Sequence, residues 1–342
     1  MRASDIPVVS YPTPFWFRIT PMKTLCFDLG YPSRLASVAL ASICLSVVSS
    51  SSAADISLTA DGAFAGTGGW SGGEAPTSGN NYFSSTYSVV TALVGANIVF
   101  AGDSLTLNGG YLNVRTGNSS VTVNDFRLIN GTVRNMVDNA NPSILGNVTL
   151  TGWGLFTANG TAVQNRSIRI GAAIGGTGEL RVRTGNVFLN SANNTYSGGT
   201  LVQTDSGYAT RLNVQRDGAL GTGNVKVETG SFITLSGGTT HDYIANSASL
   251  IFASGLSAGS VGLSFAGTDI IGALSFDNGV TWAANGTWGA VGSGAMFEDS
   301  LFTGSGLLQI GAIPEPAAAA FLTSACVLAA VACKRRRRPS VS

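Results

Sequence analysis

Short alternations of apolar and polar residues dominate the chain between Leu93 and Leu235. Typical examples are Leu105-Thr106-Leu107, Ile168-Arg169-Ile170 and Val225-Lys226-Val227, and Asn-Gly, Gly-Gly or Thr-Gly pairs punctuate the segment. Because residues i and i+2 of a strand point to the same face, each example predicts a short strand with one buried side. No stretch of about ten residues in this segment has the 3.6-residue period of a helix.

Strands this short do not form a stable sheet alone, so the repeats must stack on their neighbours. The pattern therefore predicts an all-β protein built as a right-handed parallel β-helix, a solenoid with apolar pairs inside and Thr, Asn and Arg outside. At roughly 20–25 residues per coil, the body of the chain would form on the order of ten coils. In this register Val225 and Val227 point inward and Lys226 points outward.

An antiparallel sandwich or barrel is the alternative fold. Asn-Gly turns also suit two-residue hairpins, but a sandwich needs longer strands at a regular spacing of about 8–12 residues. The spacing of the strands therefore favours the β-helix. We predict an N-terminal cap at residues 55–92, a β-helical body at 93–254 that includes the repeat-like segment at 185–235, and a C-terminal β module or cap at 255–312.

The N-terminal segment, residues 1–54, has the features of a secretory signal peptide. The apolar run from Leu35 to Val48 follows Lys23 and Arg34 and precedes a string of Ser and Ala. A basic, then apolar, then small-residue order is typical of such leaders. We predict cleavage after Ala53 or Ala54, and Met22 is a candidate for the true start.

Residues 313–342 form a second apolar segment with a different design. Pro314-Glu315-Pro316 is followed by about 17 mostly apolar residues, the lower edge of what spans a bilayer. A basic stop follows, made of Lys334, Arg335, Arg336, Arg337 and Arg338. Under the positive-inside rule this order predicts a C-terminal transmembrane helix with the body of the chain outside the cytoplasm.

This tail resembles the PEP-CTERM sorting signal of bacterial surface proteins. The resemblance implies that an exosortase-type membrane enzyme recognises Pro314, Glu315 and Pro316 and cuts the tail. A plain anchor that is never cut is the alternative. The terminal module, with Trp282 and Trp288 around Asn285-Gly286, resembles that of other sorted surface proteins carrying the repeat described next.

Residues 185–235 resemble the autotransporter-associated β-strand repeat, a passenger-domain element. The resemblance rests on Asn193-Thr200 (NNTYSGGT) and Gly218-Val227 (GALGTGNVKV) within this segment. It implies Gly where the chain turns through positive φ. The polar insertion from Thr204 to Arg211 departs from the usual pattern, and the chain has no room for a translocating barrel, so a complete autotransporter is not expected.

Cysteine and charge positions exclude several classes. Cys26 and Cys44 lie in the leader and Cys326 and Cys333 in the tail, so the body has no disulfide framework, thiol chemistry or cysteine metal site. Residues 55–312 carry ten cations against fifteen anions, a net charge of −5. Nucleic-acid binding needs clustered cations, so no nucleic-acid partner is expected.

Candidate chemistry is limited to charged side chains on the predicted outer faces. They are Arg166, Arg169, Arg181, Arg183, Arg211, Arg216 and Lys226, together with Glu179, Asp205, Asp217 and Glu228. Arg169 would align with Arg181 and Arg183 on adjacent coils, where they would contact an acidic polysaccharide; the alternative is a set of solvated outward positions. His241-Asp242 is half of a catalytic dyad at most, because no nucleophile stands out.

The predicted function is that of an exported, non-enzymatic structural or adhesive protein of the bacterial cell surface or extracellular matrix. No catalytic residue, cofactor or metal site is expected. The expected partners are the secretion machinery and the exosortase-type enzyme, with extracellular polysaccharide as a candidate, and anchoring in the inner membrane would be transient. The alternative is a carbohydrate-binding or carbohydrate-cleaving β-helix that acts on extracellular polysaccharide.

Overall fold

A computed structural model describes residues 53–93, 95–158, 166–192, 194–205 and 208–311. Within these residues the protein is all-β, with 27 strands and no α-helix. The strands form two large sheets and a small third one. The all-β prediction is therefore confirmed.

The strands divide among the sheets as follows. The thirteen-stranded sheet contains β1 (Ala54–Ser57), β3 (Asn80–Ser84), β5 (Ile98–Val99), β6 (Ser104–Leu107), β8 (Ser120–Leu128), β10 (Ser143–Leu150), β12 (Ser167–Ile170), β13 (Ala173–Gly176), β15 (Gly185–Leu189), β17 (Thr210–Val214), β19 (Ser231–Ser236), β21 (Val261–Ser264) and β26 (Phe302–Gly304). The ten-stranded sheet contains β2 (Gly62–Ala63), β4 (Ser88–Val90), β7 (Tyr111–Val114), β9 (Gly131–Asn135), β11 (Trp153–Thr157), β14 (Glu179–Arg183), β16 (Thr200–Gln203), β18 (Val225–Val227), β20 (Ser249–Phe252) and β23 (Ala273–Ser275). The four-stranded sheet contains β22 (Thr268–Ile271), β24 (Gly286–Gly289), β25 (Phe297–Glu298) and β27 (Leu307–Ile310).

The chain winds as a parallel β-solenoid of about nine turns. Successive turns each add a strand to both large sheets, so β15, β17 and β19 are neighbours in one and β16, β18 and β20 in the other. Val187 pairs with Leu212 of the next turn, and all strand pairs of the two large sheets are parallel among the described residues. A parallel ladder needs a long crossover, which rules out the hairpins of the alternative sandwich.

The core consists of apolar side chains stacked in columns, one per turn. One column of the thirteen-stranded sheet runs through Ile144, Ile170, Leu189, Val214, Leu235 and Leu263. A matching column of the ten-stranded sheet runs through Leu112, Val133, Phe156, Val182, Val202, Val227 and Phe252. All these side chains are buried. Val225 and Val227 are fully buried while Lys226 is partly exposed on the outer face, so the predicted register is confirmed.

The repeat-like segment contains a close approach that explains its glycines. Gly199 has a φ of +89°, a conformation that side chains rarely adopt. A Cβ on Gly198 would lie 2.4 Å from the backbone carbon of Gly178 in the preceding turn. The positive φ at Gly199 agrees with the prediction for this segment, and the structure adds that adjacent turns touch here through their backbones.

Aromatic side chains close the N-terminal end. Trp70 packs edge-on against Tyr82, with ring centroids 4.9 Å apart, and Phe64 and Phe100 complete the cluster. Leu58 and Trp70 form an antiparallel bridge. The strands within residues 55–92 pair directly into both large sheets, so this region is continuous with the solenoid.

The C-terminal module combines solenoid strands with the four-stranded sheet. β21, β23 and β26 continue the large sheets, whereas β24 pairs antiparallel with β27. A second aromatic cluster lies here, in which Phe276 contacts Phe252, Trp288 and Phe302.

The predicted leader and tail lie outside the described residues, apart from Ala53 and Ala54, which are exposed at the start of β1. Pro314, Glu315, Pro316 and the basic stop at residues 334–338 are therefore not placed. In the part of the chain that is described, no helix has the length and hydrophobicity to cross a membrane.

Candidate functional site

The predicted charged residues lie on two separate outer faces. Arg169 and Arg211 belong to the thirteen-stranded sheet, whereas Arg181 and Arg183 belong to the ten-stranded sheet. The predicted alignment of Arg169 with Arg181 and Arg183 is therefore wrong. The residues between them cross from one sheet to the other, which spacing along the chain did not reveal.

The two arginines of the thirteen-stranded face each lie over a phenylalanine of the next turn. The guanidinium carbon of Arg169 is 4.7 Å from the ring centroid of Phe188, and that of Arg211 is 4.1 Å from the ring centroid of Phe232. Such cation–π contacts stabilise the cation and cover the ring. This face thus carries two arginine–aromatic pairs, and Arg169 also donates to the side-chain oxygen of Asn141.

The ten-stranded face carries a groove of about 310 Å³. Its lining is mostly polar and comprises Tyr111, Thr132, Arg134, Trp153, Leu155, Thr157, Arg181, Arg183, Gln203 and Asp205. These residues come from β7, β9, β11, β14 and β16 and the residues after β16, so the groove crosses five consecutive strands. The solenoid thus brings together residues that are far apart in the chain.

Strand register places the groove's cations in a fixed pattern. Arg134 pairs with Thr157, and Arg183 lies one residue beyond the Phe156–Val182 pair, so the two arginines are separated by a single strand. Two strand spacings correspond to about 10 Å. Arg181 lies on the same face as Arg183, two residues earlier along β14, or about 7 Å away.

Aromatic rings and polar neighbours hold these arginines in place. The guanidinium of Arg134 lies 4.6 Å from the ring centroid of Tyr111, and its Nε donates to Asn113 Oδ1. The guanidinium of Arg181 lies 5.3 Å from the ring centroid of Trp153, and its Nε donates to Glu179. In both cases the hydrogen bond uses Nε, and among the described residues the two terminal nitrogens make none.

Arg183 forms a looser ion pair at the edge of the groove. Its Nε lies 3.4 Å from Asp205 Oδ2, and both side chains are substantially exposed. The hydroxyl of Thr184 donates to the same carboxylate oxygen at 3.1 Å. An exposed pair at this distance contributes little to stability, so Asp205 holds Arg183 only weakly.

The other predicted charges have local structural partners. Arg166 pairs with Asp138, Lys226 Nζ lies 3.5 Å from Glu228, and Arg216 donates to the carbonyl of Gln215. These residues lie outside the groove lining.

The His241-Asp242 corner is organised by Asp217 of the preceding turn. Asp217 Oδ2 accepts from the amides of Thr239 and Thr240 at 2.7 and 2.9 Å, and Oδ1 accepts from the amide of Asp242 at 3.2 Å. Burial raises the pKa of Asp217, but these amide hydrogen bonds outweigh it and leave the pKa below its ordinary value. The His241 ring stacks on Phe265, with centroids 5.2 Å apart.

Asp269 lies behind this corner and is the only Asp, Glu, Lys, Arg or His among the described residues whose side chain is completely buried. Its Oδ2 accepts from the amide of Ile244 at 3.3 Å, while its Oδ1 has no partner among the described residues. Burial is the main reason that the pKa of Asp269 is raised to about 8, and the nearby charge of Asp242 adds to it. At neutral pH this carboxyl group therefore keeps its proton.

Of the groove residues, only Arg181, Arg183 and Asp205 were singled out from the sequence, and the most important of those missed are Tyr111, Arg134 and Trp153. A usable signal was present, because the spacing from Tyr111 to Arg134 is close to one turn of the solenoid. The spacing from Trp153 to Arg181 is similar. An arginine one turn away from an aromatic residue is thus the pattern to look for.

The comparisons with known proteins add no assignment. No protein-family model, no curated protein and no solved structure matches the chain. Among the described residues, no group of three or more His, Cys, Asp or Glu side chains has the arrangement of a metal site. The candidate site therefore rests on the groove's own geometry.

Proposed function

We propose that this protein is an exported, non-enzymatic β-solenoid with a structural or adhesive role at the bacterial cell surface or in the extracellular matrix. The observation that carries the proposal is the unbroken stacking of apolar columns such as Leu112, Val133 and Phe156 through successive turns. Within the described residues each turn pairs with its neighbours through both large sheets, an arrangement that suits a stiff structural unit. A right-handed winding is the common one for parallel crossovers and is part of the proposal.

Export is the second part of the proposal. The signal peptide at residues 1–54 would deliver the chain across the inner membrane, and the C-terminal helix would anchor it there transiently. Cutting at Pro314, Glu315 and Pro316 by an exosortase-type enzyme would then release the body to the surface or the medium. The resemblance of the tail supports this route, and Ala53 and Ala54 are exposed where the first strand begins, which leaves the predicted cleavage positions accessible.

A non-enzymatic role is favoured over carbohydrate cleavage by the state of the groove's carboxylates. Glycoside hydrolysis needs two carboxyl groups, one of which acts as an acid and must hold its proton. Asp205 in the groove and Glu179 beside it are each engaged by an arginine. The groove is better suited to holding a ligand than to cleaving it.

The C-terminal mass of the protein recovered from the cell surface or medium tests the export route, in a host that carries the sorting enzyme. We expect a chain that ends near Pro316. Replacing Pro314, Glu315 and Pro316 with Ala should leave an uncut, membrane-bound protein, because the processing site is lost. Changing Arg335–Arg338 to Ser should let the tail pass through the membrane unprocessed, since cations resist translocation.

A matched control replaces Ser340, Val341 and Ser342 with Ala, which alters three tail residues beyond the basic stop. This variant should be processed like the wild type. Recovery of the wild-type protein with its tail intact through Ser342 would leave a simple anchor and refute processing.

A further inference from the structure

The groove on the ten-stranded sheet has features that a structural rod does not require. Three cations, Arg134, Arg181 and Arg183, converge there although the body of the chain is acidic overall. Two of them lie over aromatic rings and are fixed by a second contact at Nε. Cations pre-positioned in this way lose little conformational freedom when they bind an anion.

The free ends of these side chains determine which ligand fits. With Nε engaged, Arg134 and Arg181 present their terminal nitrogens to the groove, and two such donors match the two oxygens of a carboxylate or the oxygens of a sulfate. Gln203, Thr132 and Asp205 lie among the cations and supply donors and acceptors for hydroxyl groups. The groove therefore contains both cationic side chains and side chains that can bind hydroxyl groups.

We infer that this groove binds an acidic polysaccharide, a chain whose sugar residues carry carboxylate or sulfate groups. A polysaccharide with spaced anionic groups is favoured over a nucleic acid because three arginines are too few to neutralise the dense charge of a phosphate backbone. The cations lie about 7–10 Å apart, which suits anions separated by neutral hydroxyl-bearing groups. The inference rests on the proposed function, because the protein meets an extracellular polysaccharide only if it is exported.

The opposite face of the solenoid provides a matched control. Arg169 and Arg211 lie over Phe188 and Phe232, just as Arg134 and Arg181 lie over Tyr111 and Trp153. Replacing either pair with Gln removes two positive charges and two cation–π contacts. The two double variants therefore lose the same charge from different faces, and the groove variant also loses the Nε contacts to Asn113 and Glu179.

Binding is measured with the full chain in a mild detergent, by biolayer interferometry against immobilised polygalacturonate, dextran sulfate and neutral dextran. We expect binding to at least one of the two acidic polymers, weakened by salt, and none to dextran. Arg134→Gln/Arg181→Gln should lower the affinity about tenfold or more, since each lost contact is a charge-assisted hydrogen bond. Arg169→Gln/Arg211→Gln should change it less than about twofold.

The acidic polymer that binds identifies the anionic group. Arg183→Gln is a second probe, because Arg183 is exposed at the groove edge and makes only a 3.4 Å ion pair, so its loss leaves the fold intact. It should also weaken binding, by less than the double variant. The inference is overturned if both double variants lose affinity equally or if Arg183→Gln has no effect on affinity. Binding to neutral dextran, or tighter binding to a DNA oligonucleotide than to the acidic polymers, would also overturn it. If the protein is processed at its tail but binds neither acidic polymer, the inference about the groove is refuted and the export proposal is unaffected.

Discussion

The buried carboxyl group of Asp269 makes the stability of the solenoid depend on pH. Burial raises the pKa of Asp269 to about 8 in the folded chain, whereas an unfolded aspartate has a pKa near 3.8. Between these values the folded state holds a proton that the unfolded state has released. Stability is therefore greatest below the unfolded value and falls as the pH rises through the folded value.

The magnitude follows from this difference. Each pKa unit corresponds to 1.36 kcal/mol, so one proton lowers the free energy of unfolding by about 1.4 kcal/mol per pH unit in this window. From pH 5 to pH 7 the loss is roughly 2.7 kcal/mol. In a domain of this size, that corresponds to a decrease of roughly 5–10 °C in melting temperature.

Asp269→Asn tests this directly. Asparagine keeps the oxygen that accepts from the amide of Ile244 and cannot ionise, so the variant should lose this pH dependence. The charges that act on Asp269 from the two preceding turns, Asp242 and Asp217, are unchanged and affect both proteins. At pH 5 the two proteins should have similar melting temperatures, and the wild type should fall below the variant as the pH approaches 7.

The assay is thermal unfolding followed by circular dichroism at half-unit steps between pH 5 and pH 8. Asp125→Asn serves as the control, because Asp125 is exposed and paired with Arg127 at the surface. Its curve should run parallel to that of the wild type. Parallel curves for wild type and Asp269→Asn would refute the reasoning, because Asp269 would then not change its proton occupancy on folding.

Three other outcomes are expected. Val227→Asp buries an unpaired carboxylate in the apolar column and should lower the free energy of unfolding by several kcal/mol. Lys226→Thr, on the outer face, should lower it by less than roughly 0.5 kcal/mol. Equal melting temperatures of the two variants would contradict the register. Asn194→Ala removes the buried side-chain amide that accepts from the Ile174 amide and donates to the Ala219 carbonyl. Urea unfolding should show that the free energy of unfolding falls by about 2–4 kcal/mol. The control Asn147→Ala, at an exposed position, should lower it by less than roughly 0.5 kcal/mol. Far-ultraviolet circular dichroism of residues 55–312 should be almost purely β, and a helix content above about one fifth would be incompatible with the fold.

Local features of this fold could be predicted because they depend on neighbours in the chain. The alternation of Val225, Lys226 and Val227 identifies a strand and its inner face, since the side-chain period of a strand is two. Gly199 marks a positive φ for a similarly local reason. The parallel stacking also followed, because such short strands bury their apolar pairs only against another turn.

The candidate groove depended on the length of each turn, which the sequence did not reveal. Ile168 pairs with Val187, whereas Val261 pairs with Phe302, so the second of these turns is about twice as long as the first. A small difference in turn length decides which side chains become neighbours and on which sheet they lie. Arg169 and Arg181 were predicted to align on adjacent coils, but they lie within a single turn, on β12 of one sheet and β14 of the other.

Asp269 shows the same division between local and tertiary information. The sequence Thr268-Asp269-Ile270-Ile271 contains two adjacent isoleucines, and alternation alone allows either face of the strand to be buried. In the structure Asp269 and Ile271 point inward, while Ile270 is 41% exposed. The pairing of β22 with β27 sets this register through contacts with a strand that is distant in the chain. The apolar pattern of these residues is compatible with a strand, and only the tertiary structure decided that the strand buries a carboxyl group, because burial is a property of the neighbours that the fold brings together.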